Sequence, residues 1–353
     1  MPKSLSVVGG GVIGLAVAAR SAREGWSVRL HDPSVGTGAS WVAGGMLAPL
    51  SEGWPGEHEL LELGAHSLAR WPEFARALPG PSVFSATGSL TVALDAADAT
   101  DLRTIADWVG KQGHELEILG RAQIRELEPS LAPNIRLGLL APTELAVDNR
   151  MLLEALQTAA MSGGVEFSTD TVTDLDALTT DRIVLAAGAQ TSALLTDVPV
   201  RAVKGEILRL RRRPSATPAP TRTIRGSVHG RAIYLVPRGD GLVLGATQYE
   251  SGQDTQVTVA GVRDLIADAE RLLPGLGEYE LHECAAGLRP MSPDGLPLIG
   301  KISDRVIVAS GHGRNGILLT PITADAVAAL LEDDALIEAK AADPARFTTD
   351  RKP

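Results

Sequence analysis

The stretch from Leu5 to Asp32 constrains this 353-residue chain more than any other. It opens with a short valine-rich run, Leu5-Ser6-Val7-Val8, halted by Gly9-Gly10-Gly11, and this reads as a buried strand. Gly9-x-Gly11-x-x-Gly14 follows at once. The next dozen residues are rich in alanine and leucine and end at Gly25, a residue suited to a helix C-terminus. Ser27 to Leu30 reads as a second strand, with Asp32 at its C-terminal end. Each part has a physical role. Gly9 permits the tight turn out of the strand. Gly11 has no Cβ, so backbone N–H groups can approach a pyrophosphate. Gly14 lets the helix pack close to the strand. Val12 and Ile13 begin a helix whose N–H groups and partial positive charge suit a diphosphate. Asp32 comes 18 residues after Gly14, where an acid can bond ribose hydroxyls. An ordinary glycine-rich turn leaves that acid unexplained, so the ordered set predicts a dinucleotide site. A secretory signal is disfavoured, because only Lys3 is basic ahead of the run and three glycines interrupt it.

The remaining composition narrows the partners. Apolar residues make up 44 %, enough for a sizeable core, and no run approaches the roughly 20 needed to span a bilayer. A formal charge of −10 argues against nucleic acid or an anionic membrane as partner. The single cysteine, Cys284, excludes an internal disulfide framework and a cysteine-based metal cluster, and fits a cytoplasmic protein. The basic, proline-rich segment from Arg211 to Thr221 has no interleaved aromatic residues and reads as a solvated loop.

Helices are expected over Glu59 to Ala77, Asp98 to Gln112, Met151 to Ala160 and Val259 to Leu273. Val83-Phe84 and Ser89 to Leu94 read as separate strands. Asp181 to Ala186 and Val203 to Leu210 read as further strands, and Arg231–Arg238 with Leu242–Thr247 as a hairpin. Glu126 to Leu131 reads as a surface turn.

Three segments carry a resemblance. The loop Gly38-Ala39-Ser40-Trp41-Val42-Ala43-Gly44-Gly45-Met46 follows Asp32. Gly287-Leu-Arg289-Pro290 leads to Pro293-Asp294-Gly295-Leu-Pro-Leu-Ile-Gly300, and Ser310-Gly311-His312-Gly313-Arg314-Asn315-Gly316-Ile317-Leu-Leu-Thr320-Pro321 closes the set. Together they resemble the glycine-oxidase and D-amino-acid-oxidase family of flavoproteins. The resemblance implies an α/β, two-domain FAD-dependent amine oxidase fold. A discontinuous Rossmann-like FAD domain would comprise 1–80, 146–203 and 285–353. A mainly antiparallel β-sheet substrate domain would comprise 81–145 and 204–284. It implies that Ala39 and Ser40 contact the FAD diphosphate and that Ala43, Gly44, Gly45 and Met46 form a flavin-facing turn, although Met46 also reads as core filling. Val172, at a strand end, would clamp the adenine through its backbone. Ala187 and Gly188 end a strand in small residues, where backbone can again approach a cofactor, or the chain simply leaves the sheet.

For the substrate the resemblance points to Tyr234 and Arg289. The planar fork of an arginine meets a carboxylate in two parallel bonds, and a tyrosine hydroxyl adds a donor. A packed sheet tyrosine and an interface salt bridge are the plain alternatives. Gly311, Arg314, Asn315, Gly316 and Ile317, with a helix starting at Thr320-Pro321, would aim N–H groups at the flavin N1–C2=O edge. Arg314 would also help set the substrate amine end through its main chain. His312 reads as a loop residue, since hydride transfer needs only a neutral amine. Gly287 falls where some flavin amine oxidases carry an attaching cysteine, so the FAD is expected to be non-covalent.

The implied reaction is oxidative deamination of glycine, or of sarcosine and small D-amino acids, by hydride transfer to flavin N5. Oxygen reoxidises the flavin, giving an imine, then glyoxylate and ammonia, and hydrogen peroxide. The imine would feed thiazole formation in thiamine biosynthesis, with thiazole synthase as functional partner, and a homo-oligomer is expected from the family. Rival readings are a sarcosine, proline or D-amino-acid oxidase or dehydrogenase, a NAD-dependent dehydrogenase, and a non-catalytic FAD-binding subunit. One methylene is worth only about 1–3 kcal/mol in a pocket, so sequence does not separate the first of these.

Overall fold

The structure is a computed structural model that describes residues 3–347, so the outer ends of the 1–80 and 285–353 segments lie outside the described residues. Two sheets organise it. The first runs Leu298–Lys301, Val306–Ser310, Arg182–Leu185, Ser4–Val8, Ser27–His31, Glu166–Ser168 in spatial order. All neighbours are parallel except the first pair. Leu5, Val7, Ile183 and Val184 are fully buried, as a doubly covered parallel sheet requires. Helices Val12–Arg23, Asn149–Ser162 and Thr320–Leu331 pack together over it. The strand order reverses beside Ser4–Val8, and the crevice that such a reversal opens is the place where open α/β sheets bind ligands.

The second sheet has nine strands among the described residues. Its path is Glu280–Met291, Arg201–Arg211, Gly241–Gly245, Arg231–Arg238, Thr223–Val228, Phe84–Ala93, Leu137–Val147 and Met46–Leu47, and Glu117–Gly120 also pairs with Leu137–Val147. Only Thr223–Val228 and Phe84–Ala93 run parallel. Alternation divides its faces. Ile233 and Leu235 turn toward helix Val259–Leu272 in one apolar cluster, while Tyr234 and Val236 turn toward Val42 in another. Residues of the second face therefore look back at the first sheet.

Several sequence expectations change here. Phe84–Ala93 is one strand, not two; its register shifts twice near Gly88, whose φ of 83° bends the chain. Glu126 and Leu127 end a short helix, Arg121–Leu127, and Glu128 is buried, accepting from the N–H groups of Thr221 and Arg222. The long strands Leu137–Val147 and Glu280–Met291 carry no strict alternation of apolar and polar residues, and the sequence reading passes over them. No strand ends at Val172; the nearest is Glu166–Ser168. Helix Thr320–Leu331 starts on Leu319 without a side-chain cap, so Thr320 is its first residue and Pro321 its second. The Thr320 hydroxyl instead donates to the Gly316 carbonyl at 2.8 Å.

Candidate active site

A cleft of about 760 Å³ lies between the sheets, within the usual range for a ligand site. Of the residues the sequence reading assigns to cofactor or substrate, all but Gly14 and Gly311 line it. Those two act on shape. A Cβ on Gly14 would lie 1.8 Å from the Gly9 carbonyl oxygen, so only glycine lets the helix sit this close. Gly311 turns the chain at φ 72°.

One end of the cleft is backbone. Gly9 has φ 109°, and a Cβ there would lie 2.3 Å from the Ala186 oxygen, just past the end of the neighbouring strand. Helix Val12–Arg23 begins on Gly11 with no side-chain cap and no acid in its first turn, which leaves its positive end open to an anion. The Ser40 hydroxyl accepts from the Val12 N–H at 3.0 Å and keeps its own proton to donate. Asp32 accepts from the N–H groups of Gly10 and Ser34, each at 2.6 Å, and each oxygen retains a lone pair. The Asn149 amide holds the Ala39–Val42 turn by donating to the carbonyls of Ser40 and Trp41 at 2.8 Å each. This donor set and its glycine cradle fit a diphosphate joined to a ribose.

The Ala43 to Met46 turn is fixed from the second sheet. Gly45 has φ 79° and its carbonyl accepts from Val147 N at 2.8 Å. The Arg238 guanidinium donates to the Gly44 carbonyl at 2.5 Å and to Ser85 Oγ at 2.7 Å, and burial pushes its pKa down to about 10. On the facing side, Ser67 Oγ and the buried Trp71 Nε1 both donate to the Leu318 carbonyl, at 2.7 and 2.9 Å. They steady the Arg314 to Ile317 turn. His312 is buried with Nε2 3.0 Å from Thr323 Oγ1, and burial pushes its pKa down to about 3. It is a neutral structural imidazole at any ordinary pH.

The other end is side chain. Tyr234 occupies space left by two glycines: a Cβ on Gly44 would come within 2.9 Å of its hydroxyl oxygen, and one on Gly245 within 2.4 Å. Arg289 fits over Gly205, where a Cβ would lie 2.3 Å from both terminal nitrogens. Its Nη1 donates to the Thr247 carbonyl at 3.1 Å. Burial raises the Tyr234 pKa and lowers that of Arg289, the direction expected for groups withdrawn from water.

Glu52 and Arg225 also line this end, and sequence reasoning missed both. Glu52 pairs with Arg225 at 3.1 Å and with Arg314 Nε at 2.9 Å. Burial opposes its charge, but the two arginines outweigh it and hold the carboxyl below its ordinary range. Arg314 thus brings its side chain to the same end of the cleft as Tyr234 and Arg289, whereas the sequence reading expects it to act through its main chain. Behind Glu52, the buried Glu144 accepts from Leu50 N, Ser51 N and Ser51 Oγ at 2.7, 2.8 and 2.7 Å; burial raises its pKa. No spacing signals these contacts, because each partner arrives from a distant strand or loop.

Comparison with known proteins decides the family. The sequence profile of the FAD dependent oxidoreductases matches residues 4–330. The chain belongs to that family. As an FAD-dependent oxidoreductase it is similar to the glycine oxidase of Geobacillus kaustophilus, 32% identical over 93% of this chain and 92% of the relative. The crystal structure of glycine oxidase from that organism superposes with a TM-score of 0.89 at 29% identity, covering 97% of this chain and 98% of that one. The bifunctional protein ThiO/ThiG of Synechocystis is 33% identical over 98% of this chain and 54% of its own length. The chain thus spans about half the length of such fused relatives. In this flavoenzyme no helix among the described residues is long and apolar enough to cross a membrane. Cys284 is exposed and does not line the cleft, while a Cβ on Gly287 would already press on Val42 at 3.1 Å.

Proposed function

We propose that this flavoenzyme oxidises glycine to its imine, with oxygen as the electron acceptor. One observation carries the reading. Of the three arginines lining the cleft, Arg225 and Arg314 are paired to Glu52, while Arg289 feels the Glu52 charge but hydrogen-bonds only to the carbonyls of Lys204 and Thr247 among the described residues. Arg289 is then the cation left to take a substrate carboxylate, with the Tyr234 hydroxyl as second donor. A substrate so held lies over the Gly44 to Met46 turn, since Gly44 touches the Tyr234 ring.

Segments 1–80, 146–203 and 285–353 would hold the cofactor, and 81–145 and 204–284 the substrate. The helix starting at Val12, with Ser40, would hold the diphosphate, and Asp32 the ribose. The cofactor, when bound, supplies the hydride acceptor. The residues of this chain do the rest: they orient Cα and exclude water. With His312 neutral and bonded to Thr323, no side-chain base is assigned. The names of the similar proteins support glycine as substrate. The joining of ThiO to ThiG in fused relatives supports a thiazole-forming enzyme as functional partner. A cytoplasmic location and a homo-oligomer complete the reading.

The test is anaerobic. Glycine mixed with the purified yellow protein should bleach the flavin absorbance, and air should restore it with hydrogen peroxide formed. Bleaching without recovery identifies a dehydrogenase with another acceptor. Bleaching only with sarcosine or a D-amino acid keeps the fold and discards glycine.

A further inference from the structure

The Glu52–Arg225 pair has no part in the reaction just described, yet it is built with care. Arg225 and Tyr234 are register partners on neighbouring antiparallel strands, so both side chains stand on the face that looks into the cleft. Glu52 reaches the same place from the loop after Met46–Leu47. Glu144 holds the N–H groups of that loop, and Arg225 Nη1 donates to the Ser51 carbonyl at 3.0 Å. The Glu52 side chain is only 10% exposed and Arg225 18%. Without Glu52, the guanidiniums of Arg225 and Arg289, joined by that of the half-exposed Arg314, would face one volume, an arrangement suited to two carboxylates.

We infer that Glu52 masks Arg225 and Arg314, and so restricts this cleft to substrates with a single acidic group. This rests on Arg289 being the carboxylate anchor. A monocarboxylate amino acid finds Arg289 and Tyr234 available. A substrate carrying a second carboxylate brings it against a desolvated Glu52, and like charges at such a site are costly. Discrimination therefore comes from a repulsive element beside an attractive one. The substrate class is small amino acids or secondary amines with uncharged substituents; dicarboxylates are rejected.

The holoenzyme is titrated with acetate and with malonate, reading the flavin absorbance. Wild type should bind acetate about tenfold more tightly than malonate, or better. Glu52→Gln keeps the shape and removes the charge. It should bind malonate about tenfold more tightly relative to acetate than wild type does. Adding Arg225→Gln should abolish that gain. Equal binding of the two anions by wild type overturns the inference, with no variant needed. An unchanged acetate-to-malonate ratio in Glu52→Gln overturns it as well. If acetate binding is the same in wild type and Arg289→Met, the anchor reading has failed instead, and the inference falls with it.

Discussion

The two ends of the cleft are made of different material. At the end we assign to the diphosphate, the groups are backbone N–H groups, brought close by glycines within one stretch of chain. Gly9 and Gly14 leave no room for a methyl, and Ser40 and Asp32 are tied to the same turn by bonds of 3.0 Å or less. At the end we assign to the substrate, the lining groups are a phenol, three guanidiniums and a carboxylate. They come from three strands and two loops, and Tyr234 and Arg289 sit in spaces vacated by Gly44, Gly205 and Gly245. The first end is a property of local geometry. The second is a property of charge balance among residues that meet only when both sheets are in place. Damage should differ accordingly: the first should fail by losing shape, the second by losing affinity.

The largest effect is expected at Gly14. In Gly14→Ala the new methyl meets a backbone oxygen at 1.8 Å, and no side chain can move to relieve it. The variant should retain no flavin and lose more than about 4 kcal/mol of stability. Flavin content per polypeptide and thermal unfolding measure this. Normal flavin content in Gly14→Ala would break the contrast, because the cradle would then be as forgiving as the substrate end.

Arg289→Met should do the opposite. It keeps the volume near Gly205 and leaves the cofactor end untouched, so flavin content should match wild type. Affinity for glycine should fall by about 100-fold or more, the cost of losing a desolvated charge partner, roughly 2–5 kcal/mol. Steady-state kinetics with a flavin-normalised enzyme gives the number. Loss of flavin in this variant would mean that the two ends are one structural unit.

The same contrast explains what could be read from the chain beforehand. Gly9 to Asp32 is legible because its chemistry is local: strand, turn, helix and acid must follow in order. Tyr234 and Arg289 were reachable only through family resemblance, since alternation places Tyr234 on a face but does not say what that face sees. Glu52, Arg225, Glu144 and Arg238 were not legible at all. Each gains its meaning from a partner supplied by another strand or loop. The strand Leu137–Val147 was missed for a related reason: buried on both sides along much of its length, it lacks the alternation that announces a half-exposed strand. Thr320 lies inside its helix rather than at the cap, and its hydroxyl donates to the Gly316 carbonyl.

The smallest effect is expected at the seam between the ends, and it appears only in acid. His312 ionises near pH 6.5 in an unfolded chain, but burial holds it neutral down to about pH 3 in the folded protein. The unfolded state therefore binds the proton more tightly. The stability this residue contributes is complete above pH 6.5 and drains away as pH falls toward 3. At pH 5 the loss is about 2 kcal/mol, whereas at pH 7.5 it is close to zero. His312→Gln keeps a polar group opposite Thr323 and cannot be protonated. Its unfolding free energy should fall less steeply than that of wild type between pH 6.5 and 5, with the two slopes converging above neutrality. Its pH profile for glycine turnover should superimpose on that of wild type, because no proton passes through this ring. A parallel pair of stability curves would mean that His312 is charged in the folded protein. An altered turnover profile would move it from the scaffold into the chemistry, and the boundary between the two ends would have to be drawn elsewhere.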